Sequence, residues 1–247
     1  MGNRTTKVEI ICEIGINHGG DFRKVKKMIN LARISGADTI KFQTVNPDLI
    51  YKKSDPLYDI FKKVQFKLSQ WRELKKLVED VGMEFLSTPG DKESVDLLDS
   101  LGVKRFKIAS DSFADIDFVN YVIDKGKPFL VSTGMAKSIG EISETVSKYS
   151  CPPAVVFHCV SKYPPAVDEL NLERITQLKS FLVPDIKIGY SDHLPWVESA
   201  LVGVMKGASV IEKHFKLSAN DIDASVSLDL LDFCIMSESI RKLEQIL

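Results

Sequence analysis

The sequence lacks several patterns that would assign it to a common class. It has only four cysteines, and no two have the Cys-x-x-Cys spacing of zinc ribbons or thioredoxin-like redox sites. Its Lys and Arg residues (33) nearly balance its Asp and Glu residues (34), so the net charge of −1 gives no electrostatic basis for binding nucleic acid or an anionic membrane. There is no membrane-length apolar run and no apolar core of a secretory signal. We therefore expect a cytoplasmic protein that acts on small molecules, with any anion site built locally.

What the sequence does contain is an alternation of short apolar runs and longer amphipathic ones. Eight strand–helix units in 247 residues predict a single-domain (β/α)8 TIM barrel spanning residues 1–247. An open doubly wound sheet is the alternative, but no Gly-x-Gly-x-x-Gly follows the first strand. The longest strand-to-helix connection, residues 46–68, is a candidate lid. The predicted strands cover residues 8–17, 38–45, 83–89, 105–110, 128–134, 154–161, 186–193 and 209–215.

Polar residues end nearly every predicted strand. The active site of a (β/α)8 barrel gathers at the C-terminal ends of its strands, and polar groups in apolar strands are costly unless they are paired or used. Because helices cover the outside of such a barrel, Lys41 and Lys107 have few directions except its top, where lysines and hydroxyls suit a phosphate and a carboxylate. The polar residues at the strand ends are Glu13, Asn17, His18, Lys41, Gln43, Ser87, Thr88, Lys107, Ser110, Ser132, Thr133, His158, Ser161, Tyr163, Tyr190, Ser191, Asp192, His193, Glu212 and His214.

Two of the four histidines end the seventh and eighth predicted strands. The two-residue period of a strand places Ser191 and His193 on one face, and likewise Glu212 and His214. Because these strands are neighbours in a barrel, the two imidazoles could meet at one divalent ion that acts as a Lewis acid. Lys213 alternates with His214, so we expect it to face outward.

Eight short motifs occur along the chain, one for each predicted strand. They read EIGINHGG, KFQT, FLSTP, KIAS, STGM, HCVSKYP, GYSDH and IEKHF. In their order and rough spacing, and over essentially the whole chain, they resemble those of the sialic acid synthase family. This family comprises N-acetylneuraminate synthase and its relatives for legionaminic, pseudaminic and other nonulosonic acids.

The resemblance implies that the barrel condenses phosphoenolpyruvate with an N-acyl amino sugar aldehyde, giving a 3-deoxy-2-ulosonic acid and phosphate, and that it forms a homodimer. It implies that His193 and His214 hold Mn²⁺, or alternatively Mg²⁺ or Co²⁺. Glu13 would be the catalytic carboxylate, acting either on water or on a sugar hydroxyl, with Lys41 and Lys107 beside it. The residues expected around phosphoenolpyruvate are Lys41, Thr88, Lys107, Ser110, Ser132, Ser161 and Ser191. Those expected on the sugar side are Gln43, Asp111, Tyr163, Asp192 and Asp223.

Three departures from the family pattern fall on the sugar side. After KIAS the family usually has an acidic residue within two positions, often as Gly-Glu, and here Asp111 would be an imperfect substitute. Ala224 stands beside Asp223 where a histidine is expected. The sequence ends at Leu247 without the C-terminal antifreeze-like domain that caps the partner's sugar site in relatives. We therefore expect the condensation to be retained with an acceptor other than N-acetylmannosamine. The alternatives are that the chain is a fragment or that a separate polypeptide supplies the missing domain.

Two other functions remain open on the same residues. Lys41 or Lys107 could be the Schiff-base nucleophile of an aldolase, and other sugar-phosphate synthases use comparable groups. A barrel without activity could instead serve as a binding subunit of a polysaccharide-synthesis complex. His158, inside an apolar run, is expected in the core or behind the site, and His18 could be either structural or a ligand.

Overall fold

The alternating pattern folds into a (β/α)8 barrel, as predicted. The structure is a computed structural model that describes residues 7–247. The strands are β1 (Glu9–Gly15), β2 (Thr39–Thr44), β3 (Glu84–Pro89), β4 (Phe106–Ile108), β5 (Phe129–Ser132), β6 (Val155–Cys159), β7 (Lys187–Asp192), β8 (Val210–Phe215) and a short β9 (Ser227–Leu228). The helices are α1 (Phe22–Ile34), α2 (Pro47–Ile50), α3 (Pro56–Val64), α4 (Leu68–Asp80), α5 (Lys92–Ser100), α6 (Ile116–Ile123), α7 (Ile139–Ser147), α8 (Glu173–Phe181), α9 (Val197–Met205) and α10 (Leu230–Ile246).

The sheet is parallel and almost closed. Its hydrogen-bonded order is β3-β2-β1-β8-β7-β6-β5-β4, with β9 added beside β8. The two end strands, β3 and β4, lie next to each other, so the sheet curls into a barrel with one seam that lacks ladder hydrogen bonds. The open-sheet alternative is therefore wrong.

The apolar residues form two separate cores. One lies between the strands and the surrounding helices, as expected for a barrel whose outer surface is covered. The other fills the barrel interior, and it consists of Ile11, Leu86, Leu130, Val155, Phe157 and Val210. Because these side chains fill the interior below, the residues that follow them on the strands form the bottom of a cavity at the C-terminal end.

The helices end as the sequence predicts. Glycines follow five of them, Gly36, Gly82, Gly102, Gly126 and Gly207, and all have φ between 68° and 103°. This left-handed conformation reverses the chain at low cost and keeps the helix-to-strand connections short. Within residues 7–247, none of the helices combines the length and apolar character needed to cross a bilayer.

The candidate lid is folded rather than irregular. Residues 46–68, called the lid segment below, contain α2, α3 and the start of α4. The side chain of Asn46 accepts a hydrogen bond from the backbone of Asp48, and that of Asp55 accepts one from Leu57, so both short helices have N-caps. The lid segment therefore carries a fixed surface to the mouth of the barrel.

Candidate active site

A cavity of about 520 Å³ opens at the C-terminal ends of the strands. All eight barrel strands, or the residues directly after them, contribute to its lining, together with the lid segment. This is the position of active sites in (β/α)8 barrels, and the volume falls within the range of small-molecule sites. The cavity is therefore the candidate active site.

Four buried charged residues form what we call the floor of this cavity: Glu13, Lys41, Lys107 and Glu212. Lys41 Nζ lies 3.2 Å from Glu13 Oε2 and 3.5 Å from Glu212 Oε1, and Lys107 Nζ lies 2.9 Å from Glu212 Oε2. The strand register explains the cluster, because Glu13 pairs with Lys41 and parallel neighbours in register project to the same side. Two cations thus sit side by side, each held by a carboxylate.

Burial and the attraction between opposite charges shift the pKa values of the floor residues in opposite directions. Burial raises the pKa of Glu13, and Lys41 only partly opposes this effect. Burial alone would also raise the pKa of Glu212, but Lys107 and Lys41 hold that pKa well below its ordinary value. Burial lowers the pKa of Lys107 despite Glu212, whereas the two glutamates raise the pKa of Lys41 above its ordinary value. Glu13 is therefore the carboxyl group of the floor that most readily accepts a proton.

Gly15 marks the point where three predicted residues converge. It has φ +53° at an irregularity in β1. A methyl group placed there would lie 3.1 Å from Glu13 Oε1 and 3.5 Å from both Asp223 Oδ2 and Gln43 Nε2. Gln43 Nε2 also donates a hydrogen bond to Glu13 Oε1 at 3.3 Å. The absence of a side chain at Gly15 is what allows these polar groups to meet.

A second glycine lies against a part of the cavity lined with hydroxyl groups, which we call the hollow. A methyl group at Gly134 would clash with Ser161 Oγ and would lie 2.7 Å from Cys159 Sγ and 3.1 Å from Ser110 Oγ, so only glycine lets these groups pack so closely. The backbone N–H of Gly134 donates to Ser110 Oγ at 3.1 Å. Ser132 lines the same side of the cavity. Such a hollow beside two lysines suits the oxygens of an anion.

The two predicted metal ligands lie together. The rings of His193 and His214 are 5.6 Å apart, centre to centre, and Tyr163 stacks on His193 at 4.2 Å. Burial lowers the pKa of both histidines, and for His214 the proximity of His193 adds to the effect. Both imidazoles are therefore neutral near pH 7, which is the state that binds metal ions.

The hydrogen bonds of these histidines leave nitrogens free to act as ligands. His193 Nδ1 lies 2.7 Å from the carbonyl oxygen of Val160, so it carries the proton and Nε2 keeps its lone pair. The contact of Nε2 with Ser191 Oγ is long, at 3.4 Å, and that hydroxyl donates to Glu212 instead. His214 Nδ1 is buried without a hydrogen-bond partner, and Asp223 Oδ2 lies 3.6 Å away. Burial raises the pKa of Asp223 to about 6. The donor set fits a divalent ion, although residues 7–247 contain no cluster of three or more His, Cys, Asp or Glu side chains arranged for metal binding.

Most residues predicted for the site are brought together by the structure. Tyr163 and Asp111 lie towards the mouth, and Asp223 lies beside His214 rather than in the lining. The predicted residues that line the cavity are Glu13, Lys41, Gln43, Thr88, Lys107, Ser110, Asp111, Ser132, Ser161, Tyr163, Ser191, His193 and His214.

The prediction that Asp192 contacts the sugar is wrong, because its side chain does not face the cavity. Asp192 pairs in register with Lys213, and both project to the outer face of the barrel. Asp192 Oδ2 lies 2.5 Å from Lys213 Nζ and accepts a hydrogen bond from Ser199 of α9 at 2.5 Å. Strand alternation requires this arrangement, since Ser191 points into the cavity. Lys213 does face outward, but it is fully buried beneath α9.

Sequence reasoning left several lining residues without a role. Glu212 was placed at a strand end but given no function, although it shares a face with His214. Cys159 is buried, and its Sγ lies 3.1 Å from Ser110 Oγ in the lining of the cavity. The lid segment contributes Ile50, Tyr51 and Phe61. Strand period could have revealed Glu212, but no local pattern marked the lid residues.

The remaining two histidines are structural. His158 is buried, its Nε2 donates to the carbonyl oxygen of Leu170 at 2.7 Å, and it stacks on Tyr190. His18 is buried against Phe66 with ring centres 4.7 Å apart, and its Nδ1 accepts a hydrogen bond from the backbone of Gly20. Burial lowers the pKa of each ring to about 4. Neither lines the cavity.

A parallel (β/α)8 barrel whose strand ends enclose a cavity lined by two ion-paired lysines and by hydroxyl groups defines a class of enzymes that act on small molecules. The chain belongs to the NeuB family, whose family model matches residues 28–247. An N,N'-diacetyllegionaminic acid synthase of Campylobacter jejuni is 34% identical over 97% of this chain and 77% of the relative. A human N-acetylneuraminate-9-phosphate synthase is 30% identical over 96% of this chain and 70% of the relative. The resemblance inferred from the motifs is therefore confirmed.

Solved structures agree with this assignment. The sialic acid synthetase of Leptospira borgpetersenii, crystallised with citrate, superimposes with a TM-score of 0.92 at 31% identity, covering 98% of this chain and 85% of that one. A truncated 3-deoxy-D-arabino-heptulosonate 7-phosphate synthase of Thermotoga maritima gives a TM-score of 0.76 at 12% identity, which supports the barrel fold alone.

Proposed function

We propose that the protein condenses phosphoenolpyruvate with an amino sugar aldehyde to give a 3-deoxy-2-ulosonic acid and phosphate. The observation that carries the proposal is the floor itself, where two buried lysines adjoin a hydroxyl-lined hollow and two neutral imidazoles. Membership of a family with named nonulosonic acid synthases supports the same chemistry.

The floor and the hollow have the groups needed to bind phosphoenolpyruvate. Lys41 and Lys107 would meet the carboxylate and phosphate of phosphoenolpyruvate, while Thr88, Ser110, Ser132, Ser161 and Ser191 supply neutral hydrogen bonds. Lys41 Nζ already donates to Thr88 Oγ1 at 3.2 Å, and Ser191 Oγ to Glu212 Oε1 at 2.9 Å, so these groups are held in place before binding. Preorganised groups cost little reorganisation when the substrate arrives.

The reaction balances with one water molecule. The C3 carbon of the enol phosphate attacks the aldehyde carbon, so a carbon–carbon bond forms and C2 becomes electron-poor. Water then adds to C2, and the resulting intermediate collapses to a ketone as the C2–O bond to phosphate breaks. One proton of the water passes to the former aldehyde oxygen, and the other leaves with phosphate.

Glu13 is placed to move the first of these protons. Its carboxylate touches Gln43 and Lys41 at the edge of the floor, and its pKa lies above the ordinary value because of burial. A carboxylate with a raised pKa is a better general base than a solvated one. We propose that Glu13 takes a proton from the attacking water and returns it to the new hydroxyl.

His193 and His214 would hold the divalent ion, with Mn²⁺ as the first candidate. When bound there, such an ion acts as a Lewis acid that polarises the aldehyde. The chain's own contribution is to keep both imidazoles neutral and oriented, through burial and the Val160 carbonyl. Asp223 adds a carboxylate beside His214.

The proposal is tested by phosphate release from phosphoenolpyruvate. The purified protein would be given Mn²⁺ and a panel of six- to nine-carbon aldehyde sugars, and both phosphate and the 2-ulosonic acid would be measured. We expect equimolar amounts of the two products, dependent on sugar and metal. Loss of phosphoenolpyruvate without a sugar-dependent ulosonic acid would contradict the proposal.

One observation favours a second candidate, a Schiff-base aldolase. Burial lowers the pKa of Lys107, which is the direction needed for a nucleophilic amine. Glu212 at 2.9 Å opposes it by stabilising the ammonium form. Borohydride reduction with a keto acid substrate distinguishes the two functions, because only the aldolase leaves a reduced adduct on Lys107 or Lys41.

A further inference from the structure

Behind the two histidines of the cavity lies a buried ion pair that the proposed chemistry does not use. It is formed by Asp192 and Lys213, which directly precede His193 and His214 in the sequence and pair in register across β7 and β8. Asp192 Oδ2 lies 2.5 Å from Lys213 Nζ, and neither side chain has any exposed surface. We call these two residues the outer ion pair, because they project away from the cavity, towards α9.

The two histidines differ in how their backbones are held. His214 lies within β8 and pairs in register with Glu13 of β1 and Ser227 of β9. β7 ends at Asp192, so His193 lies one residue beyond its strand. The sheet therefore fixes the backbone of His214, whereas His193 needs contacts of another kind to stay in place.

The outer ion pair contacts the backbone on the far side of His193. Asp192 Oδ1 accepts a hydrogen bond from the backbone N–H of Leu194 at 3.0 Å. Lys213 Nζ donates to the carbonyl oxygen of Leu194 and, at 2.9 Å, to that of Trp196. His193 thus lies between Asp192 and Leu194, and the same ion pair fixes both of these neighbours.

Two hydroxyl groups complete the bonding of the Asp192 carboxylate. Tyr190 Oη donates to Asp192 Oδ1 at 3.0 Å, and Ser199 Oγ of α9 donates to Asp192 Oδ2 at 2.5 Å. A buried ion pair is often no more stabilising than apolar residues of similar volume, whereas a fully bonded polar network specifies one arrangement. This difference favours a role in positioning over a role in stability alone.

Two contacts orient the ring of His193. Its Nδ1 donates to the carbonyl oxygen of Val160 at 2.7 Å, and Tyr163 stacks on it. The ring can keep these contacts and still lie beside His214, with ring centres 5.6 Å apart, only while its backbone stays where it is. Metal–ligand distances tolerate changes of about 0.2 Å, so a small shift of residues 192–196 would separate the two imidazoles as ligands.

We propose that Asp192 and Lys213 are positioning residues that hold His193 at the separation from His214 that one shared divalent ion requires. The inference rests on the proposed function, in which the two imidazoles bind that ion, and it extends the site to a layer behind the cavity. Neither residue of the outer ion pair faces the cavity, so both act through the backbone of residues 192–196.

Two variants weaken the outer ion pair to different degrees. Asp192→Asn combined with Lys213→Met removes both charges, so no buried charge is left unpaired, and it also removes the bonds to the two carbonyl oxygens. Asp192→Asn alone is nearly isosteric and keeps an acceptor for the Leu194 N–H, so it supplies the same measurements if the double variant does not fold. Arg105→Met is the matched control, because it weakens an ion pair with Glu84 at the opposite end of the barrel.

Two measurements report on His193 without relying on turnover. Nitrogen NMR of the metal-free protein distinguishes the imidazole tautomers, and the unaltered protein should show His193 as the single Nδ1–H form bonded to Val160. The double variant should show a mixture of tautomers for His193, while His158 keeps its pattern. Calorimetry should show Mn²⁺ binding weakened by about 10-fold in the double variant and by about threefold in Asp192→Asn, with Arg105→Met unchanged.

The outcomes separate this inference from the proposed function. A folded double variant with the His193 tautomer and the Mn²⁺ dissociation constant of the unaltered protein would overturn the inference, because the ion pair would then be structural only. An equal loss of Mn²⁺ affinity in Arg105→Met would overturn it too, since any loss of stability would then suffice. Failure of the unaltered protein to bind Mn²⁺ would instead contradict the metal site of the proposed function, and the tautomers of His193 would still decide whether the ion pair positions that residue.

Discussion

The barrel has a cluster of charged residues at each end, partly exposed at the bottom and buried at the top, and the two clusters differ in how completely they are paired. At the bottom, Arg105 donates to Glu84 at 2.6 Å and to both oxygens of Glu9, with Thr39 close by. Every nitrogen of its guanidinium has a partner. Because Arg105 directly precedes β4 and Glu84 begins β3, this cluster bridges the seam that lacks ladder hydrogen bonds.

The cluster at the top is left incomplete. His214 Nδ1 is buried without a hydrogen-bond partner, Glu13 Oε2 has only its ion pair with Lys41 at 3.2 Å, and the lysines of the floor face a cavity. Incomplete polar networks cost stability, and proteins retain them where a ligand completes them. We therefore propose that the bottom cluster stabilises the fold and that the top cluster serves to bind substrates. Changes at the two ends should therefore affect different measurements.

Removing a histidine at the top should produce the largest effect. We expect His193→Ala or His214→Ala to lower kcat/KM by about 10³-fold or more, because Lewis-acid stabilisation is worth several kcal/mol. Each variant should also lose the rise in Tm that Mn²⁺ gives the unaltered protein, and circular dichroism should show an intact fold. His158→Gln, which changes a histidine outside the cavity, is the control and should keep the Mn²⁺-dependent rise. Full activity in both alanine variants would contradict the site.

Glu13→Gln should give the next largest effect. The amide keeps the shape and the contact with Gln43 but cannot accept a proton, so we expect kcat to fall by about 10²-fold or more. Binding of phosphoenolpyruvate, measured by calorimetry, should change by less than threefold, because the lysines remain. A large loss of phosphoenolpyruvate binding instead would mean that Glu13 positions Lys41 rather than moving a proton.

At the bottom, Arg105→Met should lower stability and leave turnover unchanged. Removing one partner of a buried ion cluster leaves uncompensated charges, and because this cluster is partly exposed we expect a loss of about 2 to 3 kcal/mol in the free energy of unfolding. Urea unfolding measures the loss, and kcat should stay within twofold. Lys76→Met, which breaks an exposed pair with Asp80, is the matched control and should not change the unfolding midpoint measurably. A loss of activity that exceeds the loss of folded protein would show that the bottom cluster also affects catalysis at the top, which would contradict the separation of roles.

The barrel and the cluster at its top can largely be predicted from the sequence, because both depend on repeating local patterns. The strand–helix alternation and the glycines after the helices predict the barrel. The motifs predict Glu13, Lys41, Lys107 and the histidine pair, which the structure places together. The prediction that Asp192 contacts the sugar is wrong, although the two-residue strand period already assigns Asp192 to the outer face with Lys213.

The parts that could not be predicted depend on contacts between distant segments. Arg105 reaches Glu9 across 96 positions, and nothing near either residue indicates the pairing. The seam between β3 and β4 is a property of the closed sheet. Ile50 and Phe61 resemble ordinary apolar residues of a surface connection, and only the fold of the lid segment brings them to the cavity.

The smallest expected effect comes from His158, which lies outside both clusters, and it concerns the pH dependence of the free energy of unfolding. Burial lowers the pKa of His158 to about 4, and Arg174 adds slightly to this, while the bond to the Leu170 carbonyl opposes it. In the unfolded chain the pKa is about 6.5, so between these values the unfolded state binds more protons and stability falls as the pH falls. We expect His158 to contribute about 1 to 2 kcal/mol to the loss of stability between pH 7 and pH 5. His158→Gln keeps a donor for the carbonyl but does not titrate, so urea unfolding should show a shallower decline for this variant. Because His18 has a similar environment and remains, the decline should be reduced rather than abolished. An unchanged slope would show that folding does not lower the pKa of His158.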